Sequence, residues 1–278
     1  MHICVVLGRT LHWMDFAMEI LGAFWAEHWL LAVLMLGAIA FVAGFVDSIA
    51  GGGGLFLVPG FLLVGMPPQV ALGQEKLVST VGTLAAIRNF LANSKMVWQV
   101  ALVGVPFSLL GAYLGAHLIV SISQEAVGKI ILALIPFGIL IFLTPKDRPV
   151  EERELSSRML FTVVPLTCLA IGFYDGFFGP GTGSMFIIAF HYLLRMDLVS
   201  SSANSKTFNF ASNIGALVAF VIAGKVVYLL AVPLVACNIL GNHLGSALAL
   251  RKGNEVVRKA LVFSMLCLFT SLGVKYLA

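Results

Sequence analysis

Five ionisable side chains stand inside otherwise apolar stretches of this sequence: Asp47, Glu75, Lys76, Asp175 and Lys206. Carboxylates can take up and release protons, and ammonium groups can neutralise an anion. Asp47 precedes Gly51, Gly52, Gly53 and Gly54 in GFVDSIAGGGG, and Asp175 precedes Gly179, Gly181 and Gly183 in GFYDGFFGPGTG. Each glycine disfavours a helix by ~1 kcal/mol, so a helix breaks at each run and bares backbone N–H and C=O groups. A helix restarting beyond the break aims free N–H donors and a positive dipole end into it, which suits an oxyanion. In the second run Pro180 is a natural helix start, with the Thr182 and Ser184 hydroxyls as further donors.

The lysines lie in LGQEKLVSTVGT and SSANSKTFNFASN. At helical spacing Lys206, Asn209 and Asn213 share one face, and Lys76, Ser79 and Thr83 share the matching face of the other copy. Gln74, Thr80, Asn204 and Ser205 add polar neighbours. A polar stripe along an apolar helix suits a permeation path, and it equally suits hydrogen bonding between membrane helices. The charges likewise have a structural alternative, in which they pair with one another or sit near an interface. A charge facing lipid costs ~2.5–3.5 kcal/mol even on the permissive insertion scale, so all five must face protein or a wet cavity. Cys4, Cys168, Cys237 and Cys267 show no paired spacing and read as small buried hydrophobes. No metal or cofactor is expected. The glycine runs follow no strand, so they are not a nucleotide fingerprint.

The elements that position these groups follow from composition. The 278 residues are 60% hydrophobic and 11% charged, whereas a soluble domain carries roughly a quarter charged residues. Too few charges remain to cover a water-facing surface, and the chain reads as an integral membrane protein. The net charge is +4, and the basic residues form no run with interleaved aromatics, which argues against nucleic-acid binding. The first residues lack a signal-peptide pattern, and Met14 is a second candidate start. Ten apolar segments are expected, near 29–46, 54–66, 70–92, 98–120, 126–143, 159–175, 182–194, 198–223, 227–250 and 256–276. Segments 54–66 and 182–194 are short for a crossing, which needs ~20 helical residues. Trp13, Trp25, Trp29 and Trp98 read as interfacial anchors.

The short segments are second and seventh because the chain is duplicated. Asp47 answers to Asp175, Gly51 and Gly53 to Gly179 and Gly181, and QEKLVSTVG to NSKTFNFAS. GAYLGA at Gly111 answers to GNHLGS at Gly241; both are small-residue patterns for close helix packing, and His117 and His243 lie beside them. The fold class expected is therefore an all-α polytopic membrane protein of two repeats, 29–143 and 159–278. A non-cytoplasmic segment 1–28 precedes them and a cytoplasmic linker 144–158 joins them. Five segments per half, if all cross, invert the second half relative to the first. Ten crossings also gather Arg88 and Lys95, Lys146, Arg148, Arg153 and Arg158, Arg195, and Arg251, Lys252, Arg258 and Lys259 on one side. That asymmetry leaves both termini outside.

With both copies laid out, the sequence resembles the TauE/SafE family of membrane transporters, the sulfite exporter or 4-toluene sulfonate uptake permease family. The resemblance runs from about Phe41 to Lys275. It rests on AGFVDSIAGGGGLFLVPGFLLVGMPP, GQEKLVSTVGT, and GFYDGFFGPGTGSMFIIAF followed by ANSKTFNFASNIGAL. One departure is GQEKL, where many relatives carry threonine-asparagine-lysine; the acidic Glu75 suggests a proton-linked step. The resemblance implies transport of small sulfur-containing anions across a bacterial inner membrane. The residues themselves point to a secondary carrier working by alternating access. Lys76 and Lys206 then complement the anion, with Ser79, Asn209 and Asn213 beside them. The backbone of Gly51 to Gly54, Gly179, Gly181, Thr182 and Gly183 cradles it. Asp47, Asp175 and Glu75 couple protons or brace the breaks. An anion channel, a carboxylate-based cation carrier and an intramembrane enzyme stand as alternatives, and a homo-oligomer is left open.

Overall fold

The computed structural model describes residues 27–93, 96–130, 134, 156–253, 255, 256 and 259. Among these residues the regular structure is helical, without a strand. The first half gives α1 (Trp29–Ala50), α2 (Gly54–Leu63), α3 (Pro68–Ala92) and α4 (Trp98–Val120). The second gives a π-helical turn (Met159–Val163) running into α5 (Val164–Phe177), then α6 (Thr182–Leu193), α7 (Leu198–Ile222) and α8 (Tyr228–Lys252). Most of the expected segment at 126–143, that at 256–276, the N-terminal residues to 26 and most of the linker lie outside the described residues.

Four helices are long and apolar enough to cross a membrane among the described residues: Trp29–Ala50, Trp98–Val120, Met159–Phe177 and Tyr228–Lys252. Each turns large aliphatic or aromatic side chains outward, such as Leu34, Leu102, Leu166 and Val232. Helices α3 and α7 have 25 residues each, ~37 Å at the helical rise, but their polar stripes are buried rather than displayed. The molecule is thus polar inside and apolar outside, as a chain solvated by lipid requires.

Small residues set the packing. Gly111 and Gly115 of α4 lie against the backbone of Leu169 and Phe173 in α5, and Gly241 and Gly245 of α8 lie against Phe41 and Phe45 in α1. Each contact leaves no room for a Cβ, so the helices touch backbone to backbone. These α4–α5 and α8–α1 seams are the most extensive helix contacts. The fourth helix of each half therefore packs on the first helix of the other.

Local chemistry ends the elements where the site needs them. Gly51 takes the left-handed conformation (φ 74°) and its N–H returns to the Asp47 carbonyl, closing α1. Gly179 and Gly181, at φ 91° and 89°, make the corresponding break between α5 and α6. Pro68 opens α3, and the Asp197 carboxylate caps α7 by accepting from Val199 and Ser200 N–H at 2.9 and 3.1 Å.

Candidate functional site

The two glycine breaks meet. Gly51 and Gly183 approach so closely that a Cβ on either would strike the backbone of the other. The Ser184 amide donates to the Gly51 carbonyl at 3.0 Å, and the Ser184 hydroxyl donates to the Ala50 carbonyl. Carbonyls left over by the end of α1 are thus satisfied by the start of α6. The second break also satisfies its own: Thr182 Oγ1 donates to the Gly179 carbonyl at 2.6 Å, and the Tyr174 hydroxyl donates to the Pro180 carbonyl at 2.9 Å. The Thr182 and Ser184 hydroxyls, read from sequence as donors to a ligand, are spent on broken backbone. The amides of Gly51, Gly53, Gly179 and Thr182 are likewise engaged. Those of Gly52, Gly54, Gly181 and Gly183 find no acceptor among the described residues.

Around the crossing stand the five charges, each no more than 6% exposed. Lys206 Nζ bonds to Asp47 Oδ2 at 2.9 Å and to the Asp47 carbonyl. Lys76 Nζ bonds to Asp175 Oδ1 at 2.8 Å. Each lysine therefore pairs with the aspartate of the opposite half, the exchange already seen in the helix seams. Asp47 Oδ1 also receives the Gly53 amide at 3.3 Å. Lys76 Nζ fills the space where a Gly179 side chain would stand. All four stand out in the sequence, and mutual pairing, one of the two readings open there, is what the structure shows, each lysine with the aspartate of the other half.

Glu75 has no such symmetry. Its matched residue is Ser205, whose hydroxyl turns back to the Ser202 carbonyl at 2.9 Å. Glu75 Oε1 accepts from Ser79 at 2.8 Å, so Ser79 serves the carboxylate. Glu75 Oε2 lies 3.1 Å from Lys76 Nζ, without hydrogen-bond alignment.

The polar stripes divide by role. Gln74 Oε1 accepts from Val227 N–H at 3.0 Å and Asn204 Oδ1 from Val97 N–H at 3.2 Å. Val227 and Val97 immediately precede α8 and α4, so these two residues tie each lysine helix to the start of a helix in the other half. Further along, Thr83 Oγ1 and both polar atoms of Asn213 are buried without a partner. They occupy matched positions in the two copies, seven residues beyond each lysine. The Asn209 side chain is also buried and makes no hydrogen bond among the described residues. Buried polar atoms without partners are rare and mark a place where a polar guest or water belongs.

One polar feature escaped sequence analysis. Asn238, Asn242 and Ser246 follow each other at i, i+4 along α8, where Asn238 Nδ2 donates to the Ala40 carbonyl at 2.8 Å and Asn242 Nδ2 to Asn238 Oδ1 at 2.9 Å. Asn89 Nδ2 continues the ladder by donating to Ser246 Oγ at 2.8 Å, beside His243. The matched residues in the other half are Ser108, Ala112, Ala116 and Ala219, so the ladder belongs to one half only.

Comparison with known proteins agrees with this architecture. The chain is 37% identical over 238 residues to a probable membrane transporter protein of Haemophilus influenzae, covering 84% of this chain and 90% of that protein. It is 33% identical over 233 residues to the probable membrane transporter protein YfcA of Escherichia coli K12 (82% and 86%). It is 36% identical over 243 residues to the probable membrane transporter protein ORF9 of a Sinorhizobium species (86% and 90%). No solved structure matches the chain. Residues 36–272 match the family described as sulfite exporter TauE/SafE. This multi-pass membrane protein belongs to the TauE/SafE family of membrane transporters.

Proposed function

We propose that the protein is a secondary transporter of a small anion, a sulfur-containing oxyanion or organosulfonate, working by alternating access across a bacterial inner membrane with both termini periplasmic. The observation that carries the reading is the placement of Lys76 and Lys206, each fully buried at the glycine break of the opposite half. Broken helices whose free N-terminal amides face a site between two repeats are the usual means of holding an anionic group at mid-membrane. Here Gly52, Gly54, Gly181 and Gly183 supply the free amides, and Asn209, Asn213 and Thr83 the neighbouring polar atoms. The family description points to a sulfur oxyanion.

The two halves are inverted repeats in this reading. The reciprocal lysine–aspartate pairs, the reciprocal amide caps from Gln74 and Asn204, and the matched α4–α5 and α8–α1 seams support it. Rocking of one half against the other must shear those seams and part the glycine crossing, breaking the Ser184 bonds to Ala50 and Gly51. Asp47 and Asp175 hold the lysines until an anion competes for them.

Uptake by proteoliposomes containing wild type, Lys76→Ala or Lys206→Ala tests the assignment. Saturable sulfite or sulfonate uptake with counterflow is expected of wild type, and its loss in both variants. Full anion uptake by both variants overturns the site, and conduction without saturation or counterflow replaces the carrier with a channel.

A further inference from the structure

The buried charges do not balance. Asp47, Glu75 and Asp175 oppose Lys76 and Lys206, so the fully ionised cluster carries one negative charge too many in a region with 0–6% exposure. Two of the carboxylates are accounted for by the duplication: Asp47 with Lys206 and Asp175 with Lys76 form matched neutral pairs at 2.9 and 2.8 Å. Glu75 is the surplus, and the other half puts Ser205 in its place. Glu75 lies 3.1 Å from Lys76 and shares it with Asp175, so the cluster keeps one uncompensated negative charge. That is expensive at this depth, and a carboxyl group avoids the cost by holding a proton.

The surroundings of Glu75 suit both states. Oε1 accepts from Ser79, and a Cβ at Gly54 would stand 3.4 Å from it, so this oxygen borders the break and its free amides. Oε2 has no hydrogen-bond partner and forms an ion pair with Lys76 Nζ at 3.1 Å, so a proton there breaks no hydrogen bond but gives up that attraction, while Lys76 keeps Asp175 as its partner. The charged and titratable groups near it are few. Lys76 is on its own helix. Asp175, from α5, reaches it through Lys76, and its Oδ2 is also without a donor. The Asp47–Lys206 pair flanks the other side of the crossing. The Tyr174 hydroxyl is committed to the Pro180 carbonyl. The α8 helix presents the amides of Asn238 and Asn242 to α3 and, farther along, the Ser246 hydroxyl and the His243 imidazole to Asn89.

We propose that Glu75 is the proton-carrying group of the site, and that one proton is taken up on it with each anion bound. The inference rests on the anion-transport reading and deepens it by naming the coupling ion and the residue that carries it. With Glu75 ionised, an arriving monoanion raises the cluster from −1 to −2. With Glu75 protonated, the same anion enters a neutral site. Anion and proton therefore promote each other's binding, and by linkage the effect is reciprocal. Transport of the pair makes the carrier a proton–anion symporter, driven by the proton gradient.

The experiment uses the purified full-length chain and 4-toluenesulfonate, a strong-acid anion that keeps a single charge across the pH range, unlike sulfite. Calorimetric titration at several pH values, in buffers of different ionisation heat, reads affinity and protons taken up per anion. Wild type is expected to take up about one proton per anion at the alkaline end, with Kd weakening about tenfold per pH unit there. Glu75→Gln is expected to abolish both the proton uptake and the pH slope. Glu75→Asp should retain them, a rescue that a packing role does not produce. Glu75→Ser, which installs the residue of the other half, should behave as Glu75→Gln and serves if the glutamine variant does not fold. Wild-type binding that is flat with pH and free of proton uptake overturns the proposal while leaving the anion reading intact. Full one-proton uptake by Glu75→Gln also overturns it and moves the proton to Asp47 or Asp175. No binding at any pH, by 4-toluenesulfonate or by sulfite, overturns the anion reading and this proposal with it.

Discussion

The reciprocal ion pairs make a quantitative prediction about Lys206→Met. The substitution removes an ammonium that is 0% exposed and holds both Asp47 Oδ2, at 2.9 Å, and the Asp47 carbonyl. The Asp47 carboxylate would keep one donor, the Gly53 amide at 3.3 Å. Removing one partner of a buried pair leaves an uncompensated charge and costs about 3–5 kcal/mol. Asp47→Asn alone strands the lysine and should cost a similar amount. The double variant Asp47→Asn/Lys206→Met buries no charge, so it should be more stable than either single variant, which requires a coupling energy larger than one single-variant cost, above about 3–5 kcal/mol. Reversible unfolding of the four purified proteins in detergent measures the cycle. A double variant destabilised by the sum of the two singles would refute the argument, since the two groups would then not be acting on each other.

Two further outcomes follow from the crossing and from the unpaired polar atoms. Gly183→Ala drives a methyl into the Gly51 backbone, and because backbone cannot yield as a side chain does, a loss at the upper end of ~1–3 kcal/mol is expected. Gly128→Ala, in the short helical stretch 124–130 where the nearest atom lies at 3.9 Å, should instead gain ~0.5–1 kcal/mol and serves as the control. Thr83→Val replaces a buried hydroxyl that has no partner, so thermal unfolding should show a gain of ~1–3 kcal/mol. Proteoliposome uptake by the same variant should fall, and unchanged uptake would remove Thr83 from the path.

The helices were legible because their limits are written in strong local signals. Gly51 to Gly54 and Gly179 to Gly181 stop helices outright, and α4 is observed at the residues expected of it, 98–120. The polar stripe behind Lys206 was legible from spacing alone. What spacing could not disclose is partnership across the duplication. Two like copies each hold an aspartate and a lysine, and nothing in either copy says that Lys76 reaches Asp175 rather than Asp47. Gln74 and Asn204 were read as neighbours of the lysines, yet they cap Val227 and Val97. Their recurrence two residues before each lysine was the available signal. Asn238, Asn242 and Ser246 went unremarked because only Ser246 and Asn242 fall in the GNHLGS pattern, which reads first as a packing motif. Thr182 and Ser184 point at broken backbone because a severed helix end in an apolar surround must satisfy its carbonyls before it can serve anything else.

The exchange of partners between halves also bears on how the chain is made. Asp47 leaves the ribosome 159 residues before Lys206, and Lys76 leaves it 99 residues before Asp175. Until α7 arrives, Asp47 lacks its lysine, and until α5 arrives Lys76 has only the neighbouring Glu75 to pair with. The gap at Gly51 stays open until α6 arrives, since Ser184 closes it. The buried charge cluster is therefore completed late and in order, Asp175 and Ser184 arriving before Lys206.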